Sequence, residues 1–244
     1  MRQKARTATI IVAVIAGLML GYVLLARSPG RTGPTGLFST LPILWAESAT
    51  ISDALKNDAP SHWAKAALAR RGAVVPFDNL LRIEGIRVLV MAQPRPLSPQ
   101  ENVALDGWVR GGGRLLLLAD PMLTAPSAFA PGDRRRPQDV VLISPLLSHW
   151  GLRLEVDDVQ TFGPHPADLF GLPVAVNLPG RLVVTDAAQG CTAAGHGLAA
   201  ECRIGKGRAL IVADAALLEQ GDDMSTAARE AALDTVLDRV AARD

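Results

Sequence analysis

Aromatic residues and net charge are both scarce in this sequence. Phe, Trp and Tyr make up only 4% of the 244 residues, and 25 basic against 24 acidic side chains leave a formal charge of +1. A chain so nearly neutral offers no bulk electrostatic attraction to nucleic acid or to an acidic substrate. We therefore expect no nucleic-acid partner.

The common signatures of catalytic and cofactor sites are also missing. The sequence contains no Gly-x-Ser-x-Gly nucleophile elbow. Two glycine-rich segments, Gly111–Gly113 and Gly205–Gly207, precede predicted strands, whereas phosphate-binding loops follow a strand and open a helix. We interpret both as turns, and expect neither a cofactor nor a catalytic residue.

Cysteine is limited to two residues, Cys191 and Cys202. In an oxidising compartment such a pair is expected to close a small loop through a disulfide, and two free thiols are the alternative. His196 lies between them, but two cysteines and one histidine match no recognised zinc spacing. The sequence therefore predicts no metal site.

One long apolar run is present near the N-terminus. Residues Ala8–Ala26 carry no charge, and at about 1.5 Å per residue they nearly match a hydrocarbon layer of about 30 Å. Basic residues flank the run on both sides and are more frequent before it: Arg2, Lys4 and Arg6, against Arg27 and Arg31. This bias favours a cytoplasmic N-terminus, residues 1–7. We predict a retained signal anchor, with a cleaved signal peptide as the alternative.

The remaining chain is predicted to form one α/β domain on the periplasmic side of the inner membrane. Residues 27–36 are rich in Pro and Gly and are predicted to be a linker. Residues 37–244 are enough for one buried core. Hydrophobic patterns predict strands at 73–76, 86–91, 114–119, 152–156, 181–184, 202–204 and 208–212, and helices at 62–71, 99–110, 144–150 and 226–242.

The clearest unit is a strand, a helix and a strand over residues 86–119. Residues Ser98–Glu101 combine a serine N-cap, a proline at the first helical position and a capping-box glutamate. The uninterrupted leucines 115–118 indicate a parallel strand covered on both faces. The inward face of the helix is predicted to carry Val103, Leu105 and Trp108.

Two aspartates are the best candidates for ligand binding. Asp120 and Asp214 each follow an apolar strand directly, and ligands of open parallel sheets bind at the carboxyl ends of strands. The alternative is that each aspartate caps the turn that follows it. Two further acidic segments, Asp157–Asp158 and His165–Asp168, lie in loop-like sequence and are assigned structural roles.

Several segments resemble a known family. Residues 88–98 (VLVMAQPRPLS), 105–121 (LDGWVRGGGRLLLLADP), 146–158 and 205–214 are similar to the soluble domain of GldG-like auxiliary proteins of ABC transporters, and of related membrane proteins with a class I glutamine-amidotransferase-like domain. The resemblance covers about residues 37–218. It implies a flavodoxin-like three-layer sandwich with a mainly parallel sheet, and an accessory role beside an integral-membrane partner.

The same resemblance argues against amidotransferase chemistry. Class I amidotransferases carry a catalytic cysteine on the sharp turn after a central strand. The analogous turn here is Ala119–Pro121, and neither cysteine is near it in the sequence. The resemblance therefore transfers no catalytic residue.

The sequence as a whole predicts a non-catalytic periplasmic accessory domain, for binding or scaffolding, anchored beside an ABC-transporter-like or other envelope complex. Two alternatives stay open. One is a hydrolase acting on a sugar, peptide or amide, and the other is a sensor of a small envelope ligand. Both would use Asp120 and Asp214 at the sheet edge.

Overall fold

The computed structural model describes residues 33–47, 61–157, 159–220 and 224–242. The predicted cytoplasmic N-terminus, the predicted anchor Ala8–Ala26 and most of the predicted linker lie outside the described residues. Within the described ranges, no helix is long and apolar enough to cross a membrane.

Strands and helices alternate along the described chain. The helices are α1 Trp63–Arg71, α2 Pro99–Arg110, α3 Ser144–His149 and α4 Thr226–Ala241. The strands are β1 Thr35–Ser39, β2 Val74–Pro76, β3 Val88–Ala92, β4 Arg114–Leu118, β5 Leu152–Glu155, β6 His165–Leu169, β7 Leu172–Val176, β8 Arg181–Val184, β9 Cys191–Ala194, β10 Ala199–Ile204 and β11 Gly207–Val212. Strand β1 begins at Thr35, two residues before the predicted start of the domain.

A seven-stranded sheet in the order β2-β1-β3-β4-β11-β10-β9 forms the centre of the described chain. The first five strands in this order, from β2 to β11, are parallel to one another. Strand β10 pairs antiparallel with β11, and β9 pairs antiparallel with β10. The tight turn predicted at Gly205–Gly207 is confirmed, and it connects the antiparallel strands β10 and β11. Two small antiparallel sheets, β5 with β8 and β6 with β7, lie outside the central sheet.

The central sheet is buried on both faces. Side chains of β4 alternate between two cores, with Leu116 and Leu118 in one and Leu115 and Leu117 in the other. Helices α1 and α4 cover the first core, and α2 and α3 cover the second. This arrangement confirms the predicted α/β class with a mainly parallel sheet.

Helix α2 begins where the sequence predicts, but its buried face differs from the prediction. The capping box between Ser98 and Glu101 forms in both directions. Leu105 is buried as predicted, whereas the inward position of Val103 is wrong, since that side chain is 74% exposed. Positions two apart lie on nearly opposite sides of a helix, so Val103 and Leu105 cannot share a face. The buried face is instead formed by residues four apart, Glu101, Leu105 and Val109.

Residues 165–169, which were expected to be a loop, form strand β6. It pairs with β7 in a hairpin. Proline at position 166 argues against a central strand, but an edge strand tolerates it because one row of its N–H groups has no partner strand. The sequence signal for β6 was therefore weak.

Cys191 and Cys202 form the predicted disulfide. The two residues lie directly opposite each other in the β9–β10 ladder, with their Cα atoms 4.0 Å apart. The bond attaches the edge strand β9 to the rest of the sheet.

Removing this disulfide should destabilise the domain. We expect the double variant Cys191→Ala/Cys202→Ala to lose about 2–3 kcal/mol of unfolding free energy, because the unfolded chain regains the freedom of the closed loop. Urea titration with and without reductant measures the effect. A wild-type protein whose midpoint does not move on complete reduction would contradict this prediction.

Replacing Glu101 tests the ion pair between this buried residue and the partly exposed Arg95 at the start of α2. Its carboxylate is 4% exposed and accepts hydrogen bonds from the backbone N–H groups of Leu80 (3.1 Å) and Ser98 (2.9 Å). The guanidinium of Arg95, 2.7 Å away, is the largest cause that holds the pKa of Glu101 at about 2. The Glu101→Gln variant is therefore expected to lose about 2–3 kcal/mol at pH 7.

The pH dependence of this loss follows from the lowered pKa. The stabilisation by Glu101 is complete above pH 4.5 and disappears as the pH falls toward 2. The difference in unfolding free energy between wild type and Glu101→Gln, measured with urea, should therefore decrease as the pH is lowered from 5 to 2.5. Val103→Ala, on the exposed face of the same helix, is the control and should change stability by no more than about 0.5 kcal/mol.

Candidate functional site at the carboxyl edge of the sheet

The structure brings Asp120 and Asp214 together at one edge of the sheet. They follow the neighbouring parallel strands β4 and β11. Asp120 Oδ2 accepts a hydrogen bond from the backbone N–H of Ala215, at 3.2 Å. Both aspartates are buried, with exposures of 0% and 2%.

Every carboxylate oxygen of this pair is bonded to a backbone N–H group. Asp120 Oδ1 accepts from Met122 at 2.8 Å. Asp214 Oδ2 accepts from Asn177 at 2.9 Å, and its Oδ1 accepts from Ala216. The geometry is that of the turn-capping alternative that the sequence left open. A ligand-binding role for these carboxylates stays a prediction.

A third buried residue, Gln93, completes the network and was missed by sequence reasoning. Its side chain is fully buried, and its Nε2 donates to the carbonyl oxygens of Asp120 (3.0 Å) and Gln138 (2.7 Å). Its Oε1 accepts from the backbone N–H of Asp120 at 2.9 Å. The one available signal was its position directly after β3, at the same edge of the sheet.

Burial sets the electrostatics of the aspartate pair. Burial raises the pKa of Asp120 to about 6, against the opposing effect of the N–H groups of Met122 and Ala215. Burial and then the negative charge of Asp120 raise the pKa of Asp214 well above its ordinary value. Ionised Asp120 therefore disfavours ionisation of Asp214.

An open cavity of about 290 Å³ lies at the same edge of the sheet, and neither aspartate lines it. Segments that follow β1, β4 and β11 form its walls. The apolar lining consists of Leu41, Pro42, Trp45, Ala46, Ala125, Pro126, Pro137 and Leu218. The polar lining residues are Glu47, His62, Glu219 and Gln220.

His62 and Glu47 are both fixed by hydrogen bonds. His62 Nδ1 accepts from the backbone N–H of Ala64 at 3.1 Å, so this residue is the N-cap of α1. Burial lowers the pKa of His62 below 6.5. The Glu47 carboxylate accepts from the hydroxyl of Ser127 at 2.8 Å and from the backbone N–H of Ala128 at 2.6 Å.

A family model described as an ABC-type uncharacterized transport system matches residues 66–166. The matched segment runs from α1 to the start of β6 and includes the central strands β3 and β4. The match supports the predicted similarity to auxiliary proteins of ABC-type transport systems. No curated protein matches the chain significantly.

Two solved structures share the fold. The N-terminal domain of mmIFT52 is 12% identical, with a TM-score of 0.50 over 86% of this chain and 98% of that one. Gan42B, a GH42 β-galactosidase from G. stearothermophilus, is 11% identical, with a TM-score of 0.50 over 87% of this chain. This chain spans only 30% of the β-galactosidase. At these identities the likeness shows the fold alone.

The raised pKa of Asp120 predicts an unusual pH dependence. Because the folded state binds its proton more tightly than the unfolded state, the contribution of this group falls as pH rises from about 4 to about 6. A shift of about two pKa units corresponds to about 2–3 kcal/mol. Any stability advantage of wild type over Asp120→Asn should therefore shrink by that amount between pH 4 and pH 7.

Urea unfolding of both proteins across this pH range measures the difference between their free energies of unfolding. His62 titrates in the opposite sense, but it is present in both proteins, so its contribution cancels in the difference. Asp78→Asn is the matched control, because it replaces an aspartate that is exposed. A difference between wild type and Asp120→Asn that stays constant from pH 4 to pH 7 would contradict the prediction.

Proposed function

We propose that this chain is a non-catalytic accessory protein of an ABC-type transport system. In this proposal it resembles the GldG-like auxiliary proteins, with a flavodoxin-like domain in the periplasm and the predicted segment Ala8–Ala26 as its anchor in the inner membrane. The observation that carries the proposal is the family match over residues 66–166. Its partner would be an integral-membrane component of that system.

The closed aspartate network supports the absence of catalysis. The turn Ala119–Pro121, where an amidotransferase would carry its nucleophile, holds the buried Asp120, whose oxygens are bonded to backbone. Both cysteines are joined in a disulfide on β9 and β10, outside this turn. No thiolate is therefore available for the amidotransferase reaction.

The disulfide also supports a periplasmic location. Disulfides persist in oxidising compartments and are rare in the reducing cytosol of mesophiles. A domain on the far side of the inner membrane would keep Cys191 and Cys202 bonded.

Exposed apolar side chains at the carboxyl edge provide a surface for a partner. Six of the nine large hydrophobic side chains that are exposed among the described residues lie in three segments that follow β4 and β5. We call them the apolar edge patch: Met122, Val140, Leu142, Val156, Val159 and Phe162. Exposed apolar groups concentrated in this way are typical of interaction sites.

Hydrogen bonds hold these segments beside one another. The backbone N–H of Leu123 donates to Asp139 O at 2.9 Å and so places Met122 next to Val140. Asn177 Nδ2 donates to Thr124 at 2.7 Å, and Asn177 Oδ1 accepts from Gly163 at 3.1 Å. The side chain of Asn177 therefore connects the segment that carries Phe162 to the segment that carries Met122.

An acidic residue in this patch favours a protein partner over the lipid surface. The exposed Asp157 lies directly after Val156. Anionic headgroups would repel its carboxylate, whereas an apolar cleft bordered by basic side chains would accept it. The patch therefore fits a membrane protein surface of that chemistry.

Site-specific photo-crosslinking tests this function. A benzoylphenylalanine at position 162 in the full-length protein, irradiated in native membranes, is expected to give an adduct with a membrane subunit of an ABC transporter, identified by mass spectrometry. Position 103 is a matched control because Val103 is 74% exposed and Phe162 78%, while only Phe162 belongs to the patch. Equal adducts at both positions, or none at 162, would count against the proposal.

A further inference from the structure

The cavity at the carboxyl edge has the form of a small-molecule site. Leu41 and Leu218 make an apolar floor, with exposures of 5% and 2%. The indole of Trp45 forms one wall and remains 43% exposed. Mostly apolar walls with few polar groups, at the carboxyl ends of parallel strands, are typical of ligand sites in α/β proteins.

The charge of this cavity has one sign among the described residues that line it. Glu47 and Glu219 contribute carboxylates, and no Lys or Arg is among those lining residues. The oxygens of Glu47 bond only to Ser127 and Ala128, both uncharged, and no described cationic side chain pairs with it. His62 adds no charge at neutral pH, because burial lowers its pKa.

We infer that this cavity binds an organic cation with an aliphatic body, a primary or quaternary ammonium. The aliphatic part would lie on Leu41 and Leu218, out of water. The ammonium would lie against the indole face of Trp45 and within the field of Glu47. An anionic ligand would meet the Glu47 carboxylate, and the described lining residues include no Lys or Arg to compensate it.

Three probes that share a hexyl chain separate the contributions of charge and apolar burial. Hexyltrimethylammonium, 1-hexanol and hexanoate are titrated into the full-length protein in detergent and followed by calorimetry. We expect the ammonium to bind about fivefold to tenfold more tightly than the alcohol. The carboxylate should bind more weakly than the alcohol.

Two variants assign the effect to residues. Glu47→Gln should weaken binding of the ammonium about fivefold and leave the alcohol within about twofold, because only the charge is removed. Trp45→Leu should weaken binding of the ammonium by about twofold to fivefold. Glu84→Gln, an exposed glutamate before β3 at the opposite edge of the sheet, is the control and should match wild type.

The melting temperature of each variant is measured first, so that loss of binding is not confused with loss of folding. Equal affinity for the ammonium and the alcohol would overturn the inference, and so would tighter binding of hexanoate. An absence of binding by all three probes at millimolar concentration would also overturn it. None of these outcomes depends on the transporter partner, so the inference and the proposed accessory function fail separately.

Discussion

Burial of the central strands on both faces is the constraint on which the described structure depends. Strands β4 and β11 lie between two cores, so the backbone groups at their carboxyl ends must find hydrogen-bond partners away from water. Asp120, Asp214 and Gln93 supply those partners. The same burial makes ionisation of the two aspartates costly, which is why their pKa values are raised.

Local signals predicted most of the elements. The ends of α2 were correct because a capping box at one end and glycines at the other act over a few residues. The leucine run of β4 was equally informative, since a strand covered on both faces needs no alternation. By contrast, the buried face of α2 was predicted partly wrongly, because Val103 lies two positions from Leu105 and therefore on nearly the opposite side of the helix.

The candidate site was predicted in position but only partly in composition. Adjacent parallel strands brought Asp120 and Asp214 together, as their places after two apolar runs indicated. Gln93 was missed because a glutamine after a strand has no distinctive spacing. The cavity at Trp45 and Glu47 could not be seen either, because its walls come from segments far apart in the sequence.

The aspartate network also explains how one edge of the sheet can serve two proposed roles. Asp120 binds the N–H of Met122, at the start of the segment that carries part of the apolar edge patch, and Asp214 binds the N–H of Ala216, just before Leu218 in the cavity floor. Buried polar groups that are fully bonded rigidify the segments they hold. The two aspartates thus hold the segments that carry the proposed partner surface and the proposed ligand cavity.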